Sequence, residues 1–183
     1  DGKNDYRPVV GIHLYSSTDL YNWSDEGVVL RTMESMDQFD NDPYFKELYS
    51  DYSDEKKEEI FIDLEKNRCV IERPKMIYNE LTDKYVIWFH AEGLTPQYPN
   101  SDYAKANAGI AIADKPQGPF KLLGSYDLNY VEDDDQGYDG WDNLGAVRDM
   151  NLFVDDDKTA YIIYASQGNR TTFVSKLNDE YTD

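Results

Sequence analysis

Two β-hairpins are predicted by short runs of apolar and aromatic residues that lie on either side of polar turn residues. The strands of the first hairpin are predicted at 76–78 and 85–90, and those of the second at 151–154 and 160–164. The segments between them are rich in Asn, Asp and Lys, which suit tight connections between antiparallel strands. The pattern therefore predicts an all-β fold in which each hairpin opens a sheet.

A strand-and-turn unit recurs three times along the chain. Segments 11–23, 109–120 and 171–181 each contain a β-rich run, then polar turn residues, then an aromatic residue. The second and third copies follow the two hairpins, so each combination predicts three strands and a turn toward a fourth. Four-stranded units that repeat along a chain are typical of β-propeller blades.

Two segments break this strand pattern, and we interpret them as insertions in a single domain over 1–183. The first, 33–68, is predicted to contain a helix over 54–67, with Ser53 as its N-cap and acidic residues in its first turn. The second, 127–146, is an acidic loop. It does not fit a calcium-binding EF-hand loop, because Gly137 and Ala146 stand where oxygen ligands are required.

The charge and cysteine content exclude several classes of function. The net charge is −19, from 37 acidic and 18 basic residues, which argues against a nucleic-acid or anionic-membrane partner. Cys69 is the only cysteine, so neither an intrachain disulfide nor a thiolate zinc site is expected. We expect no metal and no cofactor, since the sequence has no phosphate-binding or dinucleotide-binding motif.

Carboxylates stand at matching places before the two hairpins. Glu72 lies in the segment 72–75, Glu-Arg-Pro-Lys, directly before the first hairpin, and Asp149 lies in Arg148-Asp149-Met150 before the second. In a propeller the first strands of the blades line a central channel, so both carboxylates would converge there. Sugar hydrolysis uses converging carboxylates, although a surface charge cluster would give the same local pattern. Both histidines, His13 and His90, are interpreted as structural.

These motifs, in this order, resemble the galactanase-like branch of glycoside hydrolase family 43, which is related to exo-β-1,3-galactanases. Segment 15–30 is similar to the end of the first blade of those enzymes. Segments 72–79, 88–92 and 118–120 are similar to parts of the second blade. Arg148-Asp149-Met150, with 153–157, is similar to the third. The resemblance implies a five-bladed β-propeller, present here as about three blades and incomplete at both ends.

The resemblance also implies roles for individual residues. Asp149 would be the catalytic residue that orients the general acid and modulates its pKa, and Glu72 would hydrogen-bond the terminal sugar. Tyr103 and Asn169 would line the same substrate-binding pocket. The expected partner is an oligosaccharide or polysaccharide, and the family implies a secreted or periplasmic location. Self-association through exposed blade edges is also expected, because apolar surfaces without cover tend to associate.

The function implied is inverting, exo-acting hydrolysis of β-linked galactan side chains in plant-type glycans. The general acid of the family belongs to the fourth blade, so the isolated chain is expected to lack it and to be inactive. Two alternatives stay open: an α-L-arabinofuranosidase or β-xylosidase of the same fold, and a non-catalytic carbohydrate-binding propeller.

Overall fold

The computed structural model describes residues 9–128 and 145–183, and within them the fold is mostly β-sheet with three helices. The all-β prediction is confirmed in that part of the chain. The strands are β1 (Gly11–Ser16), β2 (Ser24–Arg31), β3 (Cys69–Asn79), β4 (Lys84–Gly93), β5 (Asn107–Ala113), β6 (Lys121–Tyr126), β7 (Met150–Val154), β8 (Ala160–Ser166) and β9 (Thr171–Lys176). The helices are α1 (Gln38–Asn41), α2 (Pro43–Leu48) and α3 (Asp54–Leu64).

The described strands form three antiparallel sheets in which chain neighbours are also sheet neighbours. We call β1-β2 the first sheet, β3-β4-β5-β6 the central sheet and β7-β8-β9 the third sheet. Both predicted hairpins are present, as β3-β4 and β7-β8, and the predicted third strands are β5 and β9. Three small sheets of this kind agree with part of a propeller, while the five-bladed closure stays a prediction.

The central sheet lies between two apolar clusters because strand β4 has apolar side chains on both faces. Ile87 and Phe89 pack into a cluster with the first sheet and the helices. Val86 and Trp88, on the opposite face, pack with residues of the third sheet. The indole N–H of Trp88 also donates a hydrogen bond to the carbonyl oxygen of Tyr181, at 2.8 Å. The stacking of the three sheets is thus encoded in the uninterrupted apolar run of β4.

The predicted helix in segment 33–68 is present as α3, but it ends at Leu64 and not at residue 67. Ser53 is its N-cap, as predicted, and its side chain accepts a hydrogen bond from the backbone N–H of Lys56 at 3.3 Å. The helix ends early because its last residues pair with Met33. The Met33 N–H donates to the Leu64 carbonyl and the Lys66 N–H donates to the Met33 carbonyl, both at 2.7 Å.

The segment 72–75 lies inside β3, and not before it as the sequence pattern predicted. The pairing of β3 with β4 is regular from Cys69 to Glu72, shifts register, and resumes at Lys75. Arg73 has a φ angle of 54°, and Pro74 has no N–H to give to the ladder. This is a β-bulge, which allows a proline within a strand and re-aims the side chains beside it.

Two further expectations from the sequence concern the acidic loop and the outer face of the third sheet. Most of the loop predicted over 127–146 lies outside the described residues, and its two ends meet where the Leu128 N–H donates to the Gly145 carbonyl at 2.8 Å. On the third sheet, Phe153, Ile163 and Val174 are exposed. Self-association through such surfaces stays a prediction.

Candidate active site

Glu72 reaches the surface at the β3 bulge, where Tyr103 contacts it. The Tyr103 hydroxyl donates a hydrogen bond to Glu72 Oε1 at 2.8 Å. Tyr103 belongs to the loop 94–106 between β4 and β5, so the contact joins two segments of the central sheet. Partial burial, followed by the hydrogen bond to Glu72 and its negative charge, raises the pKa of Tyr103 to about 12. Tyr103 is therefore a neutral hydrogen-bond donor at physiological pH.

Asp149 lies at the entry of the third sheet and contacts the same bulge through Arg73. Arg73 Nε donates to Asp149 Oδ1 at 2.9 Å, and both side chains are more than half exposed. The backbone around Asp149 is held by pairing with β8, since the Ala165 N–H donates to the Asp149 carbonyl at 2.9 Å. Glu72 and Asp149 thus sit on neighbouring sheets, and the residue next to Glu72 joins them.

Behind Glu72 lies a fully buried carboxylate, Glu92, at the end of β4. Its Oε1 is 3.1 Å from His90 Nε2 and 3.2 Å from Arg148 Nη1. Its Oε2 accepts hydrogen bonds from the backbone N–H groups of Lys105, at 3.0 Å, and Ala106, at 2.8 Å. A buried carboxylate is tolerated when cations and donors surround it in this way, so Glu92 is a structural anchor.

His90 and Arg148 connect this anchor to the surface residues and close a ring. His90 Nδ1 lies 3.4 Å from Glu72 Oε2, and the two atoms do not have the geometry of a hydrogen bond. Arg148 Nη2 donates a hydrogen bond to the Tyr103 carbonyl oxygen at 3.4 Å. We call Glu72, His90, Glu92, Arg148 and Tyr103 the carboxylate ring. The ring ties the loop 94–106 to the central sheet and to the segment that enters the third sheet, and it includes Glu72 as its exposed member.

Asn169 is the predicted pocket residue that the structure does not join to the others. It lies in the turn 167–170 between β8 and β9, is exposed and has a φ angle of 66°. Among the described residues, no hydrogen bond connects Asn169 to Glu72, Tyr103 or Asp149. The turn follows the second strand of the third sheet, as the loop 94–106 with Tyr103 follows the second strand of the central sheet. Its role in the pocket therefore stays a prediction.

The buried members of the ring were not predicted as site residues. His90 was interpreted as structural, and its burial and hydrogen bonding to Glu92 agree with that interpretation. The available signal was the occurrence of His90 and Glu92 within the otherwise apolar β4 strand, because buried polar residues require partners. Within 9–128 and 145–183 no group of His, Cys, Asp and Glu side chains could hold a metal ion. No described helix is long and apolar enough to cross a membrane.

Comparison with known proteins gives matches among solved structures. No protein-family model matches the sequence, and no curated protein does. A family 43 β-1,3-galactosidase, solved with galactodeoxynojirimycin, is similar over 96% of this chain, with 29% identity and a TM-score of 0.66. An exo-β-1,3-galactanase from Clostridium thermocellum is similar over 99%, with 27% identity and a TM-score of 0.65.

A third match is the exo-β-1,3-galactanase from Phanerochaete chrysosporium, solved with galactose, which is similar over 99% of this chain with 28% identity and a TM-score of 0.63. The chain spans 53%, 31% and 32% of the length of these three chains, respectively. Their likeness extends across all three sheets, and it agrees with the order of motifs in the sequence. Over nearly all of its length the chain is similar to galactanase-like members of glycoside hydrolase family 43, and it corresponds to part of the length of those glycosidases.

Proposed function

We propose that this chain is part of an exo-acting glycoside hydrolase that removes terminal galactose from β-1,3-linked galactan. The observation that supports the proposal is the contact of Arg73, the residue next to Glu72, with Asp149 across two sheets. Glycoside hydrolysis requires two or more carboxylates placed around one sugar ring. The similar solved structures are described as β-1,3-galactosidases and exo-β-1,3-galactanases, which supports galactan as the substrate.

In this proposal the two exposed carboxylates have different tasks. Glu72 accepts hydrogen bonds from hydroxyl groups of the terminal sugar, because it is partly exposed and already accepts one from Tyr103. Asp149 orients the general acid and raises its pKa through like-charge repulsion, so that the acid holds a proton at working pH. Tyr103 and Asn169 line the sugar pocket. Inversion at the anomeric carbon follows from the family resemblance.

The general acid itself is proposed to lie outside residues 9–128 and 145–183, in the fourth blade that the family resemblance implies. Among the described residues, the carboxylates that the ring and its neighbour Arg73 bring together are Glu72, Glu92 and Asp149. Glu92 is fully buried and paired with His90 and Arg148, so it cannot give a proton to a leaving oxygen. General acid catalysis contributes roughly 10²–10⁴-fold in rate, so the chain alone is expected to bind sugar without hydrolysing it.

The proposed location is secreted or periplasmic. A polymeric galactan is too large to cross a membrane intact, so an enzyme that trims it must meet it outside the cytoplasm. The five-bladed propeller is proposed with it, since the three described sheets have the antiparallel order and the face-to-face packing of successive blades.

The test separates sugar binding from turnover. Binding of galactose and of β-1,3-galactobiose to the 183-residue chain is measured by calorimetry, with hydrolysis followed in parallel. We expect Glu72→Gln to weaken binding about tenfold or more, because a hydrogen bond to a charged group contributes about 1.5–3 kcal/mol. Asp149→Asn should leave binding within about twofold, since Asp149 acts on the acid. Asp156→Asn, in an exposed hairpin turn, is the matched control.

Two outcomes would contradict the proposal in different ways. Unchanged binding by Glu72→Gln, or no binding of either sugar by the parent chain, would remove the sugar-binding role of this site. Turnover that Asp149→Asn abolishes would show instead that the site is complete within these residues, so that the acid must be sought among them.

A further inference from the structure

A cavity lined by described residues lies away from the carboxylate ring. It has a volume of about 450 Å³ and lies between helix α3, the edge strand β6 and the loop 94–106. Neither Glu72, Tyr103 nor Asp149 lines it. Small-molecule sites typically occupy about 300–1,000 Å³, so the cavity is large enough for a ligand of one or two sugar rings.

The floor of the cavity is built around a buried ion pair, and the Asp127 carboxylate also lines the cavity. Lys105 Nζ forms an ion pair with Asp63 Oδ1, and both side chains are at least nine-tenths buried. Ser125 Oγ donates to the same carboxylate oxygen at 3.0 Å. Thr95 is buried beside them, and its hydroxyl accepts a hydrogen bond from the Tyr98 N–H at 3.0 Å, which holds the turn 95–98 in shape. The floor therefore presents polar groups whose charges are already paired.

The wall combines an aromatic ring with a second ion pair. Tyr126 is 44% exposed, and Lys56 Nζ lies 5.7 Å from the centre of its ring. Lys56 also pairs with Glu59 at 2.9 Å. Aromatic rings with apolar faces and polar edges are suited to ligands that are themselves apolar on one face and polar at their edges.

This lining discriminates among classes of ligand. An inorganic anion would find both lysines already paired with carboxylates. A metal ion would find Asp63 engaged by Lys105 and Ser125. An apolar ligand would offer no hydrogen-bond partner to the Thr95 hydroxyl proton or to the free lone pairs of Ser125 Oγ. A neutral molecule rich in hydroxyl groups satisfies these polar groups and can place a C–H face on Tyr126.

We propose that this cavity is a second carbohydrate-binding site, which takes a neutral sugar unit independently of Glu72 and Asp149. The sugar face lies on the Tyr126 ring, and its hydroxyl groups hydrogen-bond the amide of Gln97 at the rim and the polar groups of the floor. The site goes beyond the proposed hydrolysis and does not require it, because none of the carboxylates assigned to hydrolysis lines it.

The test is amide chemical-shift mapping of the full 183-residue chain with galactose and β-1,3-galactobiose as probes. We expect saturable shifts at 95–98 and 124–126. Tyr126→Ala should weaken this binding by about threefold to tenfold, the value of an aromatic contact. Gln97→Ala, at an exposed position of the turn, should weaken it by a smaller factor without affecting folding. The matched control is Tyr21→Ala, which removes a tyrosine that is 87% exposed in the β1-β2 turn.

Glu72→Gln separates this site from the proposed active site. Shifts at the cavity that persist in Glu72→Gln support a second site even if the carboxylate site binds nothing. The proposal is overturned if neither sugar shifts the cavity amides. It is also overturned if the shifts disappear in Glu72→Gln, or if both Tyr126→Ala and Gln97→Ala bind as tightly as the parent chain.

Discussion

The central and third sheets share an antiparallel design but differ in how their faces are covered. In β4 every residue from Val86 to Gly93 is buried, whereas β9 alternates between partly buried and exposed residues along its length. The central sheet is covered on one face by the first sheet and the helices and on the other by the third sheet. Among the described residues, the third sheet is covered on one face. A strand's apolar pattern therefore records how many neighbours its sheet packs against.

The two sheets should differ most in the stability lost when one aromatic side chain in each is replaced by alanine. Trp88→Ala should reduce the free energy of unfolding by about 3–5 kcal/mol, because it leaves a cavity between two sheets and removes the hydrogen bond to Tyr181. Phe153→Ala, on the exposed face of β7, should reduce it by less than about 1 kcal/mol. Urea unfolding followed by circular dichroism measures both.

Equal losses in the free energy of unfolding for the two variants would show that the face of the third sheet that carries Phe153 is covered in solution. Repeating the unfolding of Phe153→Ala at two protein concentrations tests whether another copy supplies that cover. A concentration-dependent midpoint for the parent chain, lost in Phe153→Ala, would establish self-association through the third sheet.

A smaller effect, on the pH dependence of stability, is expected from a buried titratable group of the central sheet, the thiol of Cys69. Burial raises the pKa of the Cys69 thiol from 9.0 to about 12. The folded state then holds this proton more tightly than the unfolded state. The contribution of the thiol to the free energy of unfolding is therefore complete below about pH 9 and is lost as pH rises toward 12. We expect the stability difference between the parent chain and Cys69→Ala to narrow over that range, by up to about 4 kcal/mol.

Unfolding curves at several alkaline pH values measure this difference. Because the tyrosines are common to both proteins, subtracting the two curves isolates the thiol. Parallel loss of stability in the parent chain and Cys69→Ala would mean that the thiol ionises equally easily in both states.

The smallest expected effect concerns the exposed link between the two sheets. Arg73→Gln removes the ion pair with Asp149, whose side chains are 59% and 61% exposed. Solvent screens such a pair, so the loss of stability should be below about 1 kcal/mol and should vanish at high salt. A loss above about 2 kcal/mol that persists in high salt would mean that Arg73 is needed for the fold of the bulge itself.

The strands were predictable where local patterns decide the structure. Alternating and apolar runs predicted both hairpins, and the Ser53 cap predicted the start of α3, because these depend on residues close in sequence. The end of α3 depends on pairing with Met33, about thirty positions earlier. The bulge in β3 was missed because a charged segment with a proline reads as a strand boundary.

The site was predictable only in its outline. Glu72 and Asp149 stand out in the sequence because each precedes a predicted hairpin in a repeated unit, although Glu72 lies inside β3. The partners Glu92 and Arg148 could not be paired from sequence, since their contact depends on how the central and third sheets pack. Asn169 lies in a turn that matches the loop of Tyr103 in the repeat, and its place in the pocket stays a prediction.

The two carboxylates of the ring, Glu92 and Glu72, differ in how many partners each would have to give up to bind something new. Glu92 contacts His90, Arg148 and two backbone N–H groups, whereas Glu72 has one hydrogen bond, from Tyr103, and lies 3.4 Å from His90 Nδ1. An arriving hydroxyl group therefore has little to displace at Glu72, and the side chains behind it need not move. The buried contacts of the ring can therefore stay in place while Glu72, its exposed member, changes hydrogen-bond partner.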